Sequence, residues 1–541
     1  MTAPVAERAD TRRWLRGVGR AAVLISAITV IARAAGFGRQ LVFAHTVGPT
    51  CLGTAYTTAN MVPNIIYDVV LGGALSSAVV PVLAARVADT EQARQISSAL
   101  LTWTVLLLTP VSAAVALVAP PVASALLAGA HGCARTALDA VGGRMLAVFA
   151  PQILLYGLAV VLYGILQSHR RFAAPALAPL LSSVVVMGAY AGFGALGGHY
   201  AGRRLGELPF RYEFLLSGGT TLGVVAMVLT AAVPFARLRL GLWPTLRFPP
   251  GVAPRVRRLA AAGVMTLVAQ DVCMVVVVVL ANRFGGSGAL VLYSFAWAVF
   301  VVPYAVLAVP IATSAFPELS AQAAVGTEAD AVSAASTRAV MLASCLGTAV
   351  LAGASTPMAR IFESHANGAA SDLALALVAF APGLIGYGLA ASLTRVLYAH
   401  GYTRAPALAV SLGWLLVIAA DVGIVPFVPR HLVVAALGLG TTVGLTVTGM
   451  VLAVLVARAR GRGALAGVAR ATGSGLAGSA AGVVAGLGLS APLHMPGFFP
   501  NVCVTVGVCV VVAALFAGVV AAADGGDLRS AVARMRGRAP A

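Results

Sequence analysis

The segment FAPQILLYGLAVVLYGILQSHRRFAAPALA, residues 149–178, is repeated as FAPGLIGYGLAASLTRVLYAHGYTRAPALA, residues 380–409, with no gap between the copies. Fifteen of the thirty positions are identical at a fixed offset of 231 residues, which is more than the alanine-rich composition alone would supply. A weaker similarity relates residues 74–86 to residues 310–322 at an offset of 236. The sequence therefore predicts two related halves.

The composition places this duplication in a membrane. Hydrophobic residues make up 60% of the 541 positions and charged residues only 10%, whereas a soluble domain has about 25% charged residues. Apolar runs recur along the chain, each long enough to cross about 30 Å of hydrocarbon, and they predict an all-α polytopic membrane protein with fourteen helices. The first run is a full span that contains arginines, so no cleavable signal peptide is predicted. The predicted segments are 21–46, 56–85, 97–127, 142–167, 174–197, 213–236, 256–281, 288–316, 335–358, 373–398, 406–428, 432–457, 465–491 and 499–523.

The position of the two copies predicts how the halves are related. They cover the fourth to fifth and the tenth to eleventh helices, so equivalent helices lie six crossings apart and point the same way. Parallel repeats of this kind are typical of transporters, although channels and scaffolds also arise by duplication. The predicted organisation is a cytoplasmic tail at 1–20, an N-terminal lobe at 21–236, a cytoplasmic linker at 237–255, a C-terminal lobe at 256–457, two extra helices at 465–523 and a basic cytoplasmic tail at 524–541.

The arginines predict the orientation. All 36 basic residues are arginine, the formal net charge is +19, and the main clusters lie at 8–20, 237–258, 458–470 and 529–538. Because positively charged loops stay inside, both termini are predicted to lie in the cytoplasm. Anionic lipid head groups would favour the same clusters, and no soluble basic domain is present that would bind nucleic acid.

The cysteines and glycines predict neither a metal site nor a nucleotide site. The six cysteines lack metal-binding spacing. Cys51 and Cys133 both fall in predicted outside loops, where they could pair or remain free. No phosphate-binding glycine motif is present, so ATP hydrolysis is not predicted as the energy source.

Two arginines of the first predicted helix are candidate ligands for a phosphate group. Arg33 and Arg39 flank Gly36-Phe37-Gly38 and lie six residues apart, about 9 Å along the axis and about 120° apart around a regular helix. A hinge at Gly36 and Gly38 could turn both side chains toward one cavity. Charged residues are expensive in hydrocarbon, and the planar guanidinium suits bidentate phosphate binding. The alternatives are extension to the membrane interface and pairing with Asp68.

The second predicted helix carries a further polar group. Asp68 lies in mid-span beside Tyr67, just after Pro63 and Asn64. Asp68 could couple transport to a cation or a proton, or it could be a structural hydrogen-bonded acid. Pro63 is a candidate hinge because it removes one backbone hydrogen bond from the helix.

Three more intramembrane charges are found in the second half. Asp271 lies deep in the seventh helix after Gln270 and is a candidate for ion coupling or for a structural role. Asp421 and Arg395 lie nearer to helix ends, so their side chains are expected to extend to the interface.

Several of these segments resemble one known family. Residues 32–40, ARAAGFGRQ, resemble the opening motif of the MurJ/MviN family, which reads roughly S-R-x-x-G-F-x-R-D/Q. Residues 55–68, AYTTANMVPNIIYD, and residues 71–81 resemble the family's second helix, and their sequence is most similar to that of actinobacterial members. Residues 316–320, FPELS, match the end of its eighth helix, and residues 398–406 match the join of its tenth and eleventh. The resemblance spans helices one to twelve, and fourteen helices is the family's number.

The resemblance implies a fold and a cargo. Members belong to the MATE-like superfamily of flippases, the MOP superfamily, in which two six-helix lobes form a V-shaped central cavity that opens alternately to each side. The last two helices would extend a hydrophobic groove for a polyprenyl tail. The implied cargo is lipid II, undecaprenyl-pyrophosphate carrying the disaccharide-pentapeptide precursor of peptidoglycan. Arg33 and Arg39 match the family's cavity arginines, which would meet the pyrophosphate.

Three positions depart from the family pattern. Many relatives have basic cavity residues where this chain has Tyr67 and Ala298, and an acid is common where it has Thr54. The cavity is therefore expected to be less basic than in other members. Asp68 or Gln270 could take over contacts, or the cargo could differ.

The predicted function is therefore that of a transporter, a lipid II flippase of the cytoplasmic membrane that serves peptidoglycan biosynthesis and cell shape. No cofactor is predicted. The predicted drive is the membrane potential, or Na⁺ or H⁺ coupling through Asp271 or Asp68. The alternatives are a flippase for another polyprenyl-linked oligosaccharide, a MATE-like multidrug antiporter, a membrane enzyme and a non-transporting cell-wall scaffold. Cell-wall synthases and division proteins are the expected partners.

Overall fold

The computed structural model describes residues 28–69, 89–202, 205–325, 329–363, 369–493 and 497–523. Within these ranges the chain is helical and forms no strand, so the all-α prediction is confirmed. The helices are α1 28–46, α2 Cys51–Asp68, α3 Thr90–Leu117, α4 Ala119–Leu126, α5 Arg135–Phe149, α6 Gln152–Ser168, α7 Ala173–Gly197, α8 Phe210–Ala236, α9 Val252–Leu280, α10 Ala289–Pro303, α11 Val309–Val325, α12 Ala329–Gly353, α13 Ser355–Ile361, α14 Ala369–Phe380, α15 Gly383–Ala399, α16 Arg404–Ile424, α17 Val433–Arg460, α18 Val468–Ser490 and α19 Phe498–Ala523.

The described ranges contain eleven helical stretches long and apolar enough to span a membrane, or twelve if the bent pair α14–α15 is one span. These twelve coincide with the third to fourteenth predicted segments. The first two predicted segments are described only in part, by α1 and by α2, and residues 70–88 lie outside the description. The total of fourteen therefore stays a prediction.

Both copies of the sequence repeat break the helix at the same place. α5 ends at Phe149 and α6 begins after Pro151, while α14 ends at Phe380 and α15 begins after Pro382. Proline lacks the N–H that would bond to the preceding turn, and its ring clashes with the carbonyl four residues earlier. The shared Phe-Ala-Pro motif therefore sets the path of both helices, and in the second copy the bend is 42°.

The two copies also end alike. His169 Nδ1 lies 2.9 Å from the Ile165 carbonyl oxygen, and His400 Nδ1 lies 2.8 Å from the equivalent oxygen of Val396. The residue after each histidine has a left-handed backbone, with φ 58° at Arg170 and 83° at Gly401. The weaker similarity cannot be compared in this way because residues 74–86 lie outside the described residues.

The chain divides into two compact units. Unit 1 comprises residues 1–47, 59–125 and 139–267, and unit 2 comprises residues 48–58, 126–138 and 268–541. In unit 2 the last two helices pack on α12, where the Ser479 hydroxyl donates to the Cys345 carbonyl at 2.7 Å and Gly486 meets Gly353. The lobe and tail boundaries expected from the sequence stay predictions.

The predicted linker is ordered along α3 within unit 1. Trp103 Nε1 donates to the Leu246 carbonyl at 3.2 Å, and the Thr245 N–H donates to the Thr102 hydroxyl at 3.2 Å. Apolar linker side chains at Leu238 and Phe248 pack against the buried ends of α3 and α6. This part of the linker is consequently held to one unit and is not a free tether.

Candidate functional site

The first helix presents two arginines from a continuous helical backbone. α1 runs from 28 to 46 through Gly36 and Gly38, and neither glycine has a left-handed backbone. Arg33 is exposed and Arg39 is half-buried, as expected for residues about 120° apart on a regular helix. The hinge at these glycines is not visible in this state and stays a prediction.

Neither arginine is neutralised within the described part of the chain. Arg33 and Arg39 form no ion pair with a described carboxylate, and Asp68 is exposed at the end of α2. The pairing with Asp68 that the sequence left open is therefore absent among these residues. The guanidinium groups keep their donors for other partners.

The polar residues of α2 meet α6 at one tyrosine. The Tyr156 hydroxyl donates to Asn64 Oδ1 at 3.2 Å, and the Tyr67 and Tyr156 rings lie 4.3 Å apart between centroids, tilted by 39°. Arg39 and Asp68 are both near enough for their charges to act on the Tyr156 phenol. Unit 1 thus groups four of the predicted site residues around Tyr156.

Tyr156 itself was missed by sequence reasoning, although a signal was present. It lies inside the repeat and is identical to Tyr387 at the offset of 231. Pro63, the predicted hinge, is buried inside α2, and the helix continues past it. Its hinge role stays a prediction.

Unit 2 buries two carboxylates. Asp271 on α9 is 6% exposed and Asp421 on α16 is 0% exposed. The expectation that Asp421 extends to the interface is therefore wrong. The reason is Gly440 on α17, since any Cβ there would overlap the Asp421 carboxylate and glycine leaves room for it. Sequence position alone gave no sign of this packing.

Asp421 has unused hydrogen-bonding capacity. Neither of its carboxylate oxygens has a hydrogen-bond donor among the described residues, and the carboxylate acts electrostatically on Cys273 and Tyr293. Buried carboxylates normally have partners, so this oxygen pair suits a cation or a proton. Gln270, next to Asp271, is half-buried.

A third group of residues is centred on residues 48–58 and 126–138, the two short segments that belong to unit 2. Cys51 and Cys133 form a disulfide with their Cα atoms 5.8 Å apart, which is one of the two alternatives that the sequence left open. Thr54 is buried, and its hydroxyl accepts a hydrogen bond from the Gly288 N–H at 2.7 Å. A hydroxyl at this position thus satisfies the backbone N–H of the residue just before α10.

A neighbouring amide completes this group. Asn282 Nδ2 donates to the Thr58 hydroxyl at 3.0 Å and to the Leu126 carbonyl at 2.9 Å. Asn282 lies in the π-helical turn Ala281–Gly285 that follows α9, and such turns are frequent at functional sites. Ala298 is half-buried on α10.

The fold is shared with solved multi-pass membrane proteins. A solved multidrug resistance MATE family transporter of the MOP superfamily, in an inward-facing conformation, matches 82% of this chain and 98% of its own with a TM-score of 0.64 and 15% identity. A solved lipid II flippase MurJ in an inward closed conformation matches 95% of this chain and 100% of its own, with a TM-score of 0.71 and 17% identity. At these identities the likeness shows the fold alone.

The family follows from the sequence comparison. The model of the family described as lipid II flippase MurJ matches residues 43–512, and the chain belongs to this family. The resemblance seen in the helix motifs is thereby confirmed. A probable lipid II flippase MurJ of Synechocystis sp. is 29% identical over 238 residues, which are 42% of this chain and 41% of that protein.

The sequence comparisons cover part of the length of the relatives and part of this chain. The chain spans about half the length of the first curated relatives it matches. The family match begins at residue 43, after Arg33 and Arg39.

Proposed function

We propose that this protein is a flippase that moves lipid II, or a closely related polyprenyl-pyrophosphate saccharide, from the inner to the outer leaflet by alternating access. The observation that carries the proposal is the pair Arg33 and Arg39, which lie on a membrane helix without a carboxylate partner among the described residues. Each such charge is expensive to keep in hydrocarbon unless it has a use. A pyrophosphate offers the planar guanidinium groups bidentate acceptors.

The neighbouring cluster suits the sugar part of this cargo. Asn64 and Tyr156 offer neutral hydrogen-bonding groups beside Arg39, and sugar hydroxyls bind such groups without a change of charge. A cationic drug would be repelled by the two arginines, which disfavours multidrug antiport. Transport is proposed as the whole activity, with no catalytic step and no cofactor.

The proposed setting is the cytoplasmic membrane, with both termini in the cytoplasm. The arginine clusters that favour this orientation lie in the linker and near the two ends of the chain. Helices α18 and α19 are proposed to receive the polyprenyl tail. Cell-wall synthases and division proteins are proposed as partners because they would consume the cargo on the outer side.

The proposed driving force is electrical. Moving one charge across the membrane is worth about 2.3 kcal/mol per 100 mV. Coupling to Na⁺ or H⁺ would add to it, and the buried carboxylates Asp271 and Asp421 are the proposed coupling residues. Asp68, which is exposed at the end of α2, is the alternative coupling residue.

The cargo is tested in cells that are depleted of the chromosomal protein. An added enzyme that cleaves only outer-leaflet lipid II reports its exposure. Wild type is expected to restore cleavage, and Arg33→Ala with Arg39→Ala is expected to leave it near the depleted level. Arg430→Ala, at an exposed loop arginine, is the matched control and should behave as wild type. Unchanged cleavage after depletion would refute the proposed cargo.

Ion coupling is tested separately in proteoliposomes. Transport is measured with a Na⁺ gradient, with an H⁺ gradient and with a membrane potential alone. Asp271→Asn and Asp421→Asn are expected to remove the response to one ion gradient and to leave the response to the potential. Dependence that survives in both variants but is lost in Asp68→Asn would move the ion site to α2.

A further inference from the structure

Unit 2 contains a cavity that none of the functions above uses. It has a volume of about 180 Å³ and is bounded by α15, α16, α17 and the π-helical turn Tyr304–Ala308. At about 30 Å³ per water molecule this is room for roughly six waters. The cavity therefore fits a single ring-sized group and not a whole lipid head group.

Aromatic side chains form one wall of the cavity. Tyr304 stacks on Tyr387 with centroids 3.8 Å apart and an angle of 18°, and Trp414 is a further lining residue. Both tyrosines are half-buried, and Trp414 is almost completely buried. Flat aromatic faces bind rings whose C–H groups point at the π system, because the face is electronegative. A pyranose ring presents such C–H groups on its faces.

One guanidinium borders the same cavity. Arg395 on α15 was expected to extend to the interface, yet it is half-buried and lines the cavity with Thr394 and Thr448. Its Nη1 donates to the Ala391 carbonyl of its own helix at 2.6 Å. A guanidinium has five N–H donors, so most of them stay available for a carboxylate or a phosphate, for which its fork is suited.

The repeat supplies an independent observation. Tyr387 and Tyr156 occupy the same position of the two copies, and each ring contacts the ring of a tyrosine that lies far from it in the chain, tilted in unit 1 and stacked in unit 2. In unit 1 the partner is Tyr67 and the nearby arginine is Arg39. In unit 2 the partner is Tyr304 and the nearby arginine is Arg395. Duplication has thus kept one tyrosine of each pair. The arginines come from different positions, since the residue of unit 1 that is equivalent to Arg395 is Gly164.

We propose that the cavity in unit 2 is a subsite for a saccharide ring with an adjacent anionic group. The ring would pack on Tyr387 and Trp414, and Arg395 would bind a carboxylate next to it. This inference rests on the proposed function, since it assigns part of the same cargo to unit 2. It also gives a specificity that arginines alone lack, because a pyrophosphate without sugar would not fill this cavity.

The test compares two lipids that differ in the sugar. The full-length protein in lipid nanodiscs is titrated with lipid II and with undecaprenyl pyrophosphate, and binding is followed by thermophoresis. Tyr387→Leu and Trp414→Leu are expected to weaken lipid II binding about tenfold, a typical effect of losing one stacked ring. Binding of undecaprenyl pyrophosphate should stay within about twofold of wild type, as for changes away from a binding site.

Matched variants separate binding from folding. Arg395→Gln removes the charge and should weaken lipid II only. Trp243→Leu alters a tryptophan that is 75% exposed in the linker and should change neither lipid. Equal losses for both lipids, or no loss in Tyr387→Leu and Arg395→Gln, would overturn the subsite. If wild type binds neither lipid, the proposed cargo fails instead.

Discussion

The two copies of the repeat have the same backbone path, but the side-chain interactions between their helices differ. Both break after a Phe-Ala-Pro sequence, and in both a threonine from a later helix donates to the carbonyl just before the break. Thr221 bonds to Val148 at 3.0 Å in unit 1, and Thr442 bonds to Ala379 at 2.7 Å in unit 2. Val148 and Ala379 are equivalent at the offset of 231.

Apart from this shared hydrogen bond, the residues at equivalent positions of the two units differ. In unit 1 Arg144 reaches the buried carboxylate of Glu213 with an Nη2 to Oε2 distance of 2.7 Å. The equivalent of Arg144 in unit 2 is Leu375, and the equivalent of Glu213, counted from the matched threonines, is Val434. The comparison teaches that proline and threonine set the path of the helices, whereas the ion pair of unit 1 has no counterpart at the equivalent positions of unit 2.

The largest expected effect comes from breaking that ion pair in unit 1. Glu213 is 2% exposed and Arg144 is 48% exposed, so Arg144→Ala strands a buried carboxylate. We expect the free energy of unfolding to fall by about 3 kcal/mol. The measurement is unfolding in mixed micelles titrated with SDS. Sequence reasoning missed this pair because its members lie far apart in the chain.

A double variant tests the contribution of the ion pair more directly. Arg144→Leu combined with Glu213→Val copies unit 2 into unit 1 and removes both charges together. Replacing both partners of a buried pair by apolar residues is often neutral or stabilising, so the double variant should recover most of the loss. A double variant as unstable as Arg144→Ala would show that the two units are not interchangeable here.

The second prediction concerns close packing in unit 2. Gly386 on α15 faces the backbone of Leu445 and Thr446 on α17, and a Cβ there would overlap both. The equivalent position in unit 1 is Leu155, so this tight approach belongs to unit 2 alone. Gly386→Ala is expected to lower the free energy of unfolding by roughly 2 kcal/mol.

Its control lies in unit 1. A Cβ at Gly188 on α7 meets nothing within 4 Å, so Gly188→Ala should leave stability unchanged or slightly raised. Both variants are measured by the same SDS titration. Equal stability of the two variants would mean that α15 and α17 can separate without loss.

The third prediction addresses the shared threonines. Thr442→Val removes one buried donor to a carbonyl, which is expected to lower the free energy of unfolding by about 1 kcal/mol. Thr221→Val should lower it more, since Thr221 also accepts a hydrogen bond from the Gln152 side chain at 2.9 Å. In unit 2 the equivalent of Gln152 is Gly383. The same titration, applied to Thr221→Ser and Thr442→Ser as controls, should show smaller losses.

These residues show which features of the fold can be predicted from the sequence and which cannot. The apolar runs and the two proline motifs predict the spans and their breaks, because bilayer thickness fixes the length and proline acts locally. The burial of Asp421 and the pairing of Arg144 with Glu213 were not predictable, since each depends on what a distant helix presents. Gly440 makes room for Asp421, and Glu213 lies 69 residues from Arg144.

The residues of the candidate site likewise divide into those that the sequence predicts and those that it does not. The first-helix and second-helix motifs point to Arg39, Asn64, Tyr67 and Asp68. In the structure Asn64 and Tyr67 contact Tyr156, and the charges of Arg39 and Asp68 act on its phenol. Tyr387 could have been anticipated, because it repeats Tyr156, but its stacking on Tyr304 could not. What no local pattern signalled is the cavity that Arg395 lines beside them.

The smallest expected effect lies at the end of each copy. Arg170 has φ 58° and is exposed, whereas its equivalent Gly401 has φ 83° and a Cβ there would meet nothing within 4 Å. A left-handed backbone is unfavourable for residues with a Cβ and routine for glycine. Arg170→Gly should therefore raise the free energy of unfolding by up to about 1 kcal/mol, and Gly401→Ala should lower it by a similar amount. Because neither position has a side-chain tie that differs between the units, the two changes should be equal and opposite in the SDS titration. A loss of stability in Arg170→Gly would mean that the guanidinium of Arg170 itself contributes to unit 1.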